Sequence, residues 1–168
     1  MPWATMPPMP SYTIREGAVE DAERLIERII ELARYERLDH TLEISVEELK
    51  RWIFSESPVA GSLVAESNGD IVGYAIYFRS FSTFVGKPGF WLEDLYVTPE
   101  MRGKGIGRAL LRRLAEETVS CGFGRLEWSV LDWNQPSIEF YEAIGADILG
   151  DWRICRLAGE KLLRFVGT

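Results

Sequence analysis

Apolar residues recur along this chain at two different periods, and the switches between them predict most of its elements. Tyr12 to Arg15 reads as a first edge strand. Ala22, Leu25, Ile26, Ile29, Leu32 and Ala33 then repeat at helical spacing, which predicts an amphipathic helix ending near Tyr35. Ser45 followed by Glu48 has the form of a capping box and opens a second helix through about Phe54. The apolar runs Leu63 to Glu66 and Ile71 to Phe78 flank Ser67-Asn68-Gly69-Asp70, and Asn-Gly between such runs is a strong hairpin signal. Ser80 to Gly89 is polar and contains glycine; it reads as a connection, a flap or lip over a site.

The second half repeats a different unit. Phe90 to Val97 is an apolar run with the character of a buried strand, and in Ala109 to Val119 the residues Leu111, Leu114, Ala115 and Thr118 share one helical face. Another strand is expected over Leu126 to Leu131. The helix after it has Pro136 in its first turn, Asn134 as cap and Gly145 at its end. A closing strand is expected around Trp152 to Leu157. The order is mixed α/β, antiparallel at the start and parallel at the later crossovers, with no internal repeat and no domain linker.

Between the Phe90 strand and its helix lies Val97-Thr98-Pro99-Glu100-Met101-Arg102-Gly103-Lys104-Gly105-Ile106-Gly107-Arg108. A strand, a glycine turn and a helix N-terminus together make an anion site. The first helical N–H groups lack intrahelical acceptors, and the helix dipole adds about half a positive charge there. Arg102, Lys104, Arg108, Arg112 and Arg113 crowd this element in a chain of net charge −7. A nucleoside-triphosphate loop, G-x-x-x-x-G-K-[ST], is absent. The spacing of Gly103, Gly105 and Gly107 also misses the dinucleotide fingerprint. What remains is R-x-x-G-x-G, the pattern with which acetyl-CoA-dependent N-acetyltransferases hold pyrophosphate. Alone, the string equally suits a tight turn that binds nothing.

A second motif decides between these. Asp132-Trp133-Asn134-Gln135-Pro136-Ser137-Ile138-Glu139-Phe140-Tyr141-Glu142-Ala143-Ile144-Gly145-Ala146 follows the Leu126 strand, and the two motifs in this order resemble the GNAT superfamily of N-acetyltransferases from Tyr12 to Phe165. Leu32-Ala33-Arg34-Tyr35-Glu36, Trp91-Leu92-Glu93-Asp94-Leu95-Tyr96-Val97 and Asp132-Trp133-Asn134 are similar to the diamine, or spermidine/spermine, group. Leu131 to Gln135 looks most like the branch that acetylates thialysine and related small amines. The resemblance implies a GNAT fold, a mostly antiparallel sheet with helices around it, whose two parallel strands splay apart at an acetyl-CoA site. Backbone groups of Leu95, Tyr96 and Val97 would pair with the pantetheine arm. Arg102, Gly103, Lys104, Gly105, Ile106, Gly107 and Arg108 would hold the pyrophosphate, and Asn134 and Ser137 would add polar contacts.

By the same resemblance Tyr141 stands at the general acid's position and Glu93 at the base's. A thiolate leaving group needs a proton, and a phenol of pKa about 10 is a reasonable donor to a thiol of about 8.5. An ammonium of pKa about 10.4 needs about 4 kcal/mol to lose its proton at neutral pH, so a base or proton wire is required. Tyr35, Glu36, Asp94, Glu127 and Trp128 match positions lining the amine pocket. Glu93 and Asp94 are adjacent, so a regular strand would turn them to opposite faces and only a bulge could bring them to one. The polyamine enzymes carry Asp-Pro-Trp where this chain has Ser82-Thr83-Phe84, which favours a short diamine, thialysine or a lysine-like amine over spermine.

Composition sets the remaining bounds. At 168 residues the chain suits one domain over 12–168, after a disordered leader at 1–11 that is rich in proline and methionine. Six tryptophans are expected to add buried area. No run approaches the ~20 apolar residues of a membrane span, and the acidic balance argues against nucleic acid as a partner. Cys121 and Cys155 form no metal pattern, so no metal is expected, and they read as buried free thiols of a cytoplasmic protein. His40, without a nucleophile motif, reads as a loop or packing residue. The expected protein is thus an acetyl-CoA-dependent N-acetyltransferase of small amines, a homodimer as its relatives commonly are. A protein lysine or α-amine acceptor and a non-catalytic acyl-CoA-binding module are the competing readings.

Overall fold

The Asn-Gly turn fixes the register of the sheet. In the computed structural model, which describes residues 11–167, Asn68 and Gly69 take left-handed φ angles of 52° and 76°. A two-residue turn needs this to match the twist of its strands. It joins β2 (Gly61–Ser67) to β3 (Asp70–Ser82), with Ser67 opposite Asp70. β1 (Thr13–Glu16) pairs antiparallel with β2, and β4 (Lys87–Val97) antiparallel with β3. β5 (Leu126–Trp128) then lies parallel to β4, so the spatial order β1-β2-β3-β4-β5 follows the chain.

Two helices, α1 (Ala22–Tyr35) and α2 (Val46–Ile53), cover one face. Leu25, Ile29 and Leu32 of α1 and Leu49 of α2 are buried with Val64, Tyr74, Ile76 and Tyr96 of the sheet. The predicted capping box of α2 forms reciprocally. Glu48 N–H donates to Ser45 Oγ at 3.2 Å, and Ser45 N–H donates to Glu48 Oε2 at 3.1 Å. The helix between the parallel strands, α3 (Ile106–Ser120), covers the other face: a Cβ on Gly73, out of phase with Tyr74, would stand 3.2 Å from Ile106.

The described chain divides into two compact units, one ending at Ser129 and the other starting at Val130. The second contains α4 (Gln135–Ala143) and α5 (Glu160–Val166). Pro136 enters the first turn of α4 as expected. Gly145, at φ 90°, reverses the chain at its end, where Ala146 N–H donates to the Tyr141 carbonyl at 3.0 Å. Asn134 caps α4 through its backbone: its carbonyl accepts from Ser137 and Ile138 N–H, each at 3.1 Å, and its side chain makes no cap bond.

Several expectations are corrected. Ser80 to Gly89 is mostly ladder, since β3 and β4 pair out to Ser82 opposite Lys87 and only 83–86 turn. The tip of this hairpin is exposed, with Phe84 97% exposed, while Ser82 is buried beneath it. The expected closing strand at Trp152 to Leu157 does not form, and its apolar residues Trp152, Ile154 and Leu157 are exposed. An alternating run becomes a strand only where a sheet edge receives it. α5 had no sequence expectation behind it, and the Leu126 strand stops at Trp128 rather than Leu131. Trp52, Trp133 and Trp152 are exposed and Trp91 and Trp128 partly so; aliphatic residues and tyrosine fill the core instead. Cys121 and Cys155 are free, but both are exposed. The leader, apart from Ser11, lies outside the described residues.

The parallel join between β4 and β5 depends on Gly89, where a Cβ would stand 2.6 Å from the Arg125 carbonyl oxygen. Backbone cannot yield as a side chain tip can. Gly89→Ala should therefore lower stability by about 1–3 kcal/mol, read as a reduced urea midpoint at unchanged m-value; an unchanged midpoint would refute the close approach.

Candidate active site

Glu93 is where β4 breaks step. Ile76 pairs with Asp94 and Tyr77 with Leu92, so Glu93 is the extra residue of a β-bulge. The bulge lets the adjacent carboxylates of Glu93 and Asp94 line one cavity of about 770 Å³. Glu36 joins them from the end of α1, and Glu43 from the loop before α2. The chain reverses after Glu36 through Arg37, whose φ is 61°, and Leu38 N–H closes the turn on the Ala33 carbonyl at 2.8 Å. Apolar side chains supply most of the remaining wall, among them Leu32, Leu42, Trp52, Ile53 and Ile76.

No basic side chain among the described residues lines this cavity. Glu36, Glu43, Glu93 and Asp94 form no ion pair with a described residue. Elsewhere carboxylates are paired: Asp21 with Arg15 at 2.6 Å, and Asp70 with Arg24 at 2.6 Å and Arg28 at 3.1 Å. In the cavity Asp94 accepts a long hydrogen bond from the Tyr74 hydroxyl at 3.4 Å, and Glu93 one from Trp91 Nε1 at 3.2 Å. Burial, and then the charges of Glu93 and Glu36, push Asp94 up to about 7; burial also raises Glu36. Near neutral pH this site can both hold and release a proton.

The glycine turn is built for close approach from outside. Thr98 N–H donates to the Val72 carbonyl at 2.9 Å, which ties the start of the turn to the sheet. Gly103 and Gly105 have φ of 73° and 84°; a Cβ on Gly103 would meet nothing within 4 Å, and one on Gly105 only the Tyr12 hydroxyl at 3.5 Å. α3 starts at Ile106, and its first backbone bond runs from Ala109 N–H to the Gly105 carbonyl at 2.9 Å. The N–H groups of Ile106, Gly107 and Arg108 thus precede the helix's own acceptors. β5 pairs with β4 only from Phe90 to Leu92, leaving Leu95, Tyr96 and Val97 without a β5 partner, as splayed strands should.

The turn's cations mostly fold back on the protein. Arg102 Nε donates to the Val97 carbonyl at 3.0 Å, and its guanidinium lies 5.0 Å over the Tyr35 ring and 5.7 Å over Tyr96. Lys104 Nζ donates to the Glu100 carbonyl at 2.8 Å. Arg112 pairs with Glu116, and Arg113 with Glu16 and Glu117. Arg108 is exposed and has no ion pair among the described residues.

Some expected pocket residues lie elsewhere. Tyr35 does not line the acidic cavity but a smaller one of about 330 Å³, with Arg28, Glu31, Tyr96 and Arg102. Successive helical residues point about 100° apart, so Tyr35 and Glu36 serve different hollows. Glu127 and Trp128 on β5 do not line the acidic cavity, and Glu127 is held by Arg125 at 2.6 Å. Asn134, Ser137 and Tyr141 belong to α4, where Asn134 and Tyr141 are buried and Ser137 is partly so. Glu43 and Trp52 are cavity residues that the sequence reading missed. The one hint was Glu43 set between Leu42 and Ile44, an alternation just ahead of the Ser45 cap.

A sheet bulged beside a glycine turn and a helix N-terminus defines the architecture of acyl-group transferases. Residues 24–146 match the acetyltransferase (GNAT) family, and the chain belongs to that family. It is 38% identical over 165 residues to a thialysine N-epsilon-acetyltransferase of Bos taurus, an alignment that covers 92% of this chain and 96% of the relative. It is 33% identical over 160 residues to the Caenorhabditis elegans protein of the same name, covering 94% and 98%. An integron cassette protein from the mobile metagenome of V. cholerae superposes with a TM-score of 0.79 at 26% identity, over 94% of this chain and 99% of that one. The chain is accordingly an acetyltransferase.

Because folding raises Asp94 from the ordinary carboxylate value to about 7, the folded state binds more protons than the unfolded one between roughly pH 4 and pH 7. Its contribution makes stability fall as pH rises through that window, by at most about 1.4 kcal/mol per pH unit. Asp94→Asn should remove this decline and gain most, relative to the parent, above pH 7. Parallel urea-stability profiles for the two proteins from pH 4 to pH 8 would refute the assignment.

Proposed function

We propose that residues 12–168 act as one domain that transfers the acetyl group of acetyl-CoA to a primary amine of a small cationic molecule, by direct attack within a ternary complex. The observation that carries this reading is the cavity itself, in which Glu36, Glu43, Glu93 and Asp94 lack ion pairs. Of these, Glu36 and Asp94 are half-buried; a carboxylate so placed without a counter-charge is costly, and an arriving ammonium would supply one. An acid-lined hollow also suits a small acceptor better than a protein lysine.

The turn fits the cofactor. The open space at Gly103 and Gly105, with the leading N–H groups of α3, suits a pyrophosphate. Arg108 is placed to add charge, and Arg102 and Lys104 would add theirs on leaving the Val97 and Glu100 carbonyls. The unpaired stretch of β4 at Leu95, Tyr96 and Val97 suits the amides of pantetheine, with Asn134 and Ser137 as further polar contacts. Acetyl-CoA supplies the acyl group as an activated thioester. Glu93, with Asp94 beside it, takes the proton that frees the attacking amine, and Tyr141 returns one to the departing thiolate. Relatives named for thialysine and, in Arabidopsis thaliana, for L-ornithine are consistent with a small amine acceptor. The hairpin tip at Ser82 to Phe84 offers a long polycation no carboxylate. A cytoplasmic homodimer completes the proposal, and sedimentation would test the dimer.

Gly105→Asp places a charged side chain at φ 84° where the pyrophosphate would sit, and should nearly abolish acetyl-CoA binding in a calorimetric titration. Arg102→Ala should weaken it by about 1–3 kcal/mol. Unchanged titrations in both variants would reject the cofactor site.

Turnover can be followed as free thiol release. Tyr141→Phe should stay folded and lose about 10²–10⁴-fold in kcat, while Glu93→Gln should be most impaired at pH 7 and recover towards pH 10 as the amine deprotonates itself. Thialysine or a short diamine should exceed spermine in kcat/KM by about ten- to a hundredfold. A pH-independent Glu93→Gln defect would remove its role as base, and a preference for spermine would overturn the short-acceptor argument.

A further inference from the structure

We propose that the hydroxyl of Tyr12, which lies outside both cofactor motifs, is a further donor to the cofactor's pyrophosphate and reaches the glycine turn from the edge strand of the sheet. That role rests on the turn being the acetyl-CoA site proposed above.

Tyr12 directly precedes β1, and its hydroxyl lies 3.5 Å from the point where a Cβ on Gly105 would stand. Apart from Gly105's own chain neighbours, no other described atom comes within 4 Å of that point, so the open side of Gly105 has one polar group facing it. The hydroxyl makes no hydrogen bond among the described residues, and the residue is half-buried; a donor is held beside the turn without being used there. Ser67 Oγ donates to the Ser11 carbonyl at 3.0 Å, and Thr13 pairs with Glu66 of β2, which fixes the backbone on both sides of Tyr12. An anion drawn to the leading N–H groups of α3 at Gly105 has this hydroxyl within reach.

A second contact between the same two elements agrees with this placement. Continuing the alternation of β1 puts Tyr12 on the side of Ile14 and Glu16, and Glu16 lies 3.9 Å from Arg113 of α3. Tyr12 to Glu16 spans about 13 Å as strand, and Gly105 to Arg113 about 12 Å as helix, so both contacts fit one alignment of β1 along α3. Arg15, on the opposite side of the strand, is committed to Asp21 at 2.6 Å and to Glu66 at 2.8 Å. The phenol is therefore the donor this strand has left for an anion at the turn. It carries no charge, so salt should not screen its contribution as it screens that of an exposed arginine.

Tyr12→Phe removes the hydroxyl and keeps the ring, so the ligand-free variant should keep the parent's urea midpoint. In calorimetric titrations its Kd for acetyl-CoA and for 3′-dephospho-acetyl-CoA should each rise about tenfold, the size of one hydrogen bond to a charged group, at low and high salt alike. An unchanged Kd for acetyl-CoA would overturn the role of Tyr12 and leave the cofactor site standing. A loss confined to acetyl-CoA would put the hydroxyl at the 3′-phosphate, a loss that vanishes at high salt would trace to a displaced cation, and a lowered urea midpoint would make Tyr12 a packing residue; each of these overturns the assignment to pyrophosphate. Binding of neither ligand by the parent would overturn the cofactor site and this role together.

Discussion

Like charges repel more strongly as water is removed, and this fold sets Glu93 and Asp94 side by side, near Glu36, where no described basic residue meets them. The sheet sustains that arrangement through the bulge between β3 and β4. Ordinary pairing resumes on both sides of it, Tyr77 with Leu92 and Ile76 with Asp94. Tyr74, fully buried under α1, donates to Asp94 from a core that cannot shift easily. Burial first, and then the charges of Glu93 and Glu36, push Asp94 up to about 7, so protonation rather than an ion pair relieves the site.

The rest of the charge distribution is ordered by contrast with this cavity. Arg15, Arg24 and Arg28 bind carboxylates on the outer part of the same unit, and Arg102 lies over Tyr35 and Tyr96 in a separate hollow. A guanidinium stacked on two rings and bonded to a carbonyl is held in place without a carboxylate. The two hollows thus share the end of α1 but differ in character: Glu36 faces the one without basic residues, and Tyr35, one residue earlier, faces the one where arginines and glutamates are mixed.

Features set by neighbouring residues were legible in the sequence. The Asn68-Gly69 turn, the Ser45 and Glu48 box, α1 from its apolar period, and the glycine entry to α3 are each decided within a few positions. The alternation argument even specified that a bulge was needed for Glu93 and Asp94 to meet, though nothing local could say that one existed. Features set by distant partners were not legible. Trp152 to Leu157 has the composition of a strand but pairs with none, and Ser80 to Gly89 looks like a loop although β3 and β4 pair along it. Glu43 belongs to the site only because the loop after α1 returns over the sheet, a turn secured by Arg37 in a conformation usually left to glycine.

That no described basic residue pairs with Glu36, Glu43, Glu93 or Asp94 also bears on what would follow the reaction if this cavity takes the amine as proposed. An amine enters such a hollow as an ammonium ion and is drawn in by its charge. Acetylation turns that nitrogen into a neutral amide, and the attraction that loaded it ends with the bond that forms. A neutral amide would leave the half-buried Glu36 and Asp94 again without a counter-charge, so a hollow that gathers substrate would disfavour product at the same point. On that proposed reading, turnover would have a direction built into the electrostatics of the cavity, without a moving part to expel what has been made.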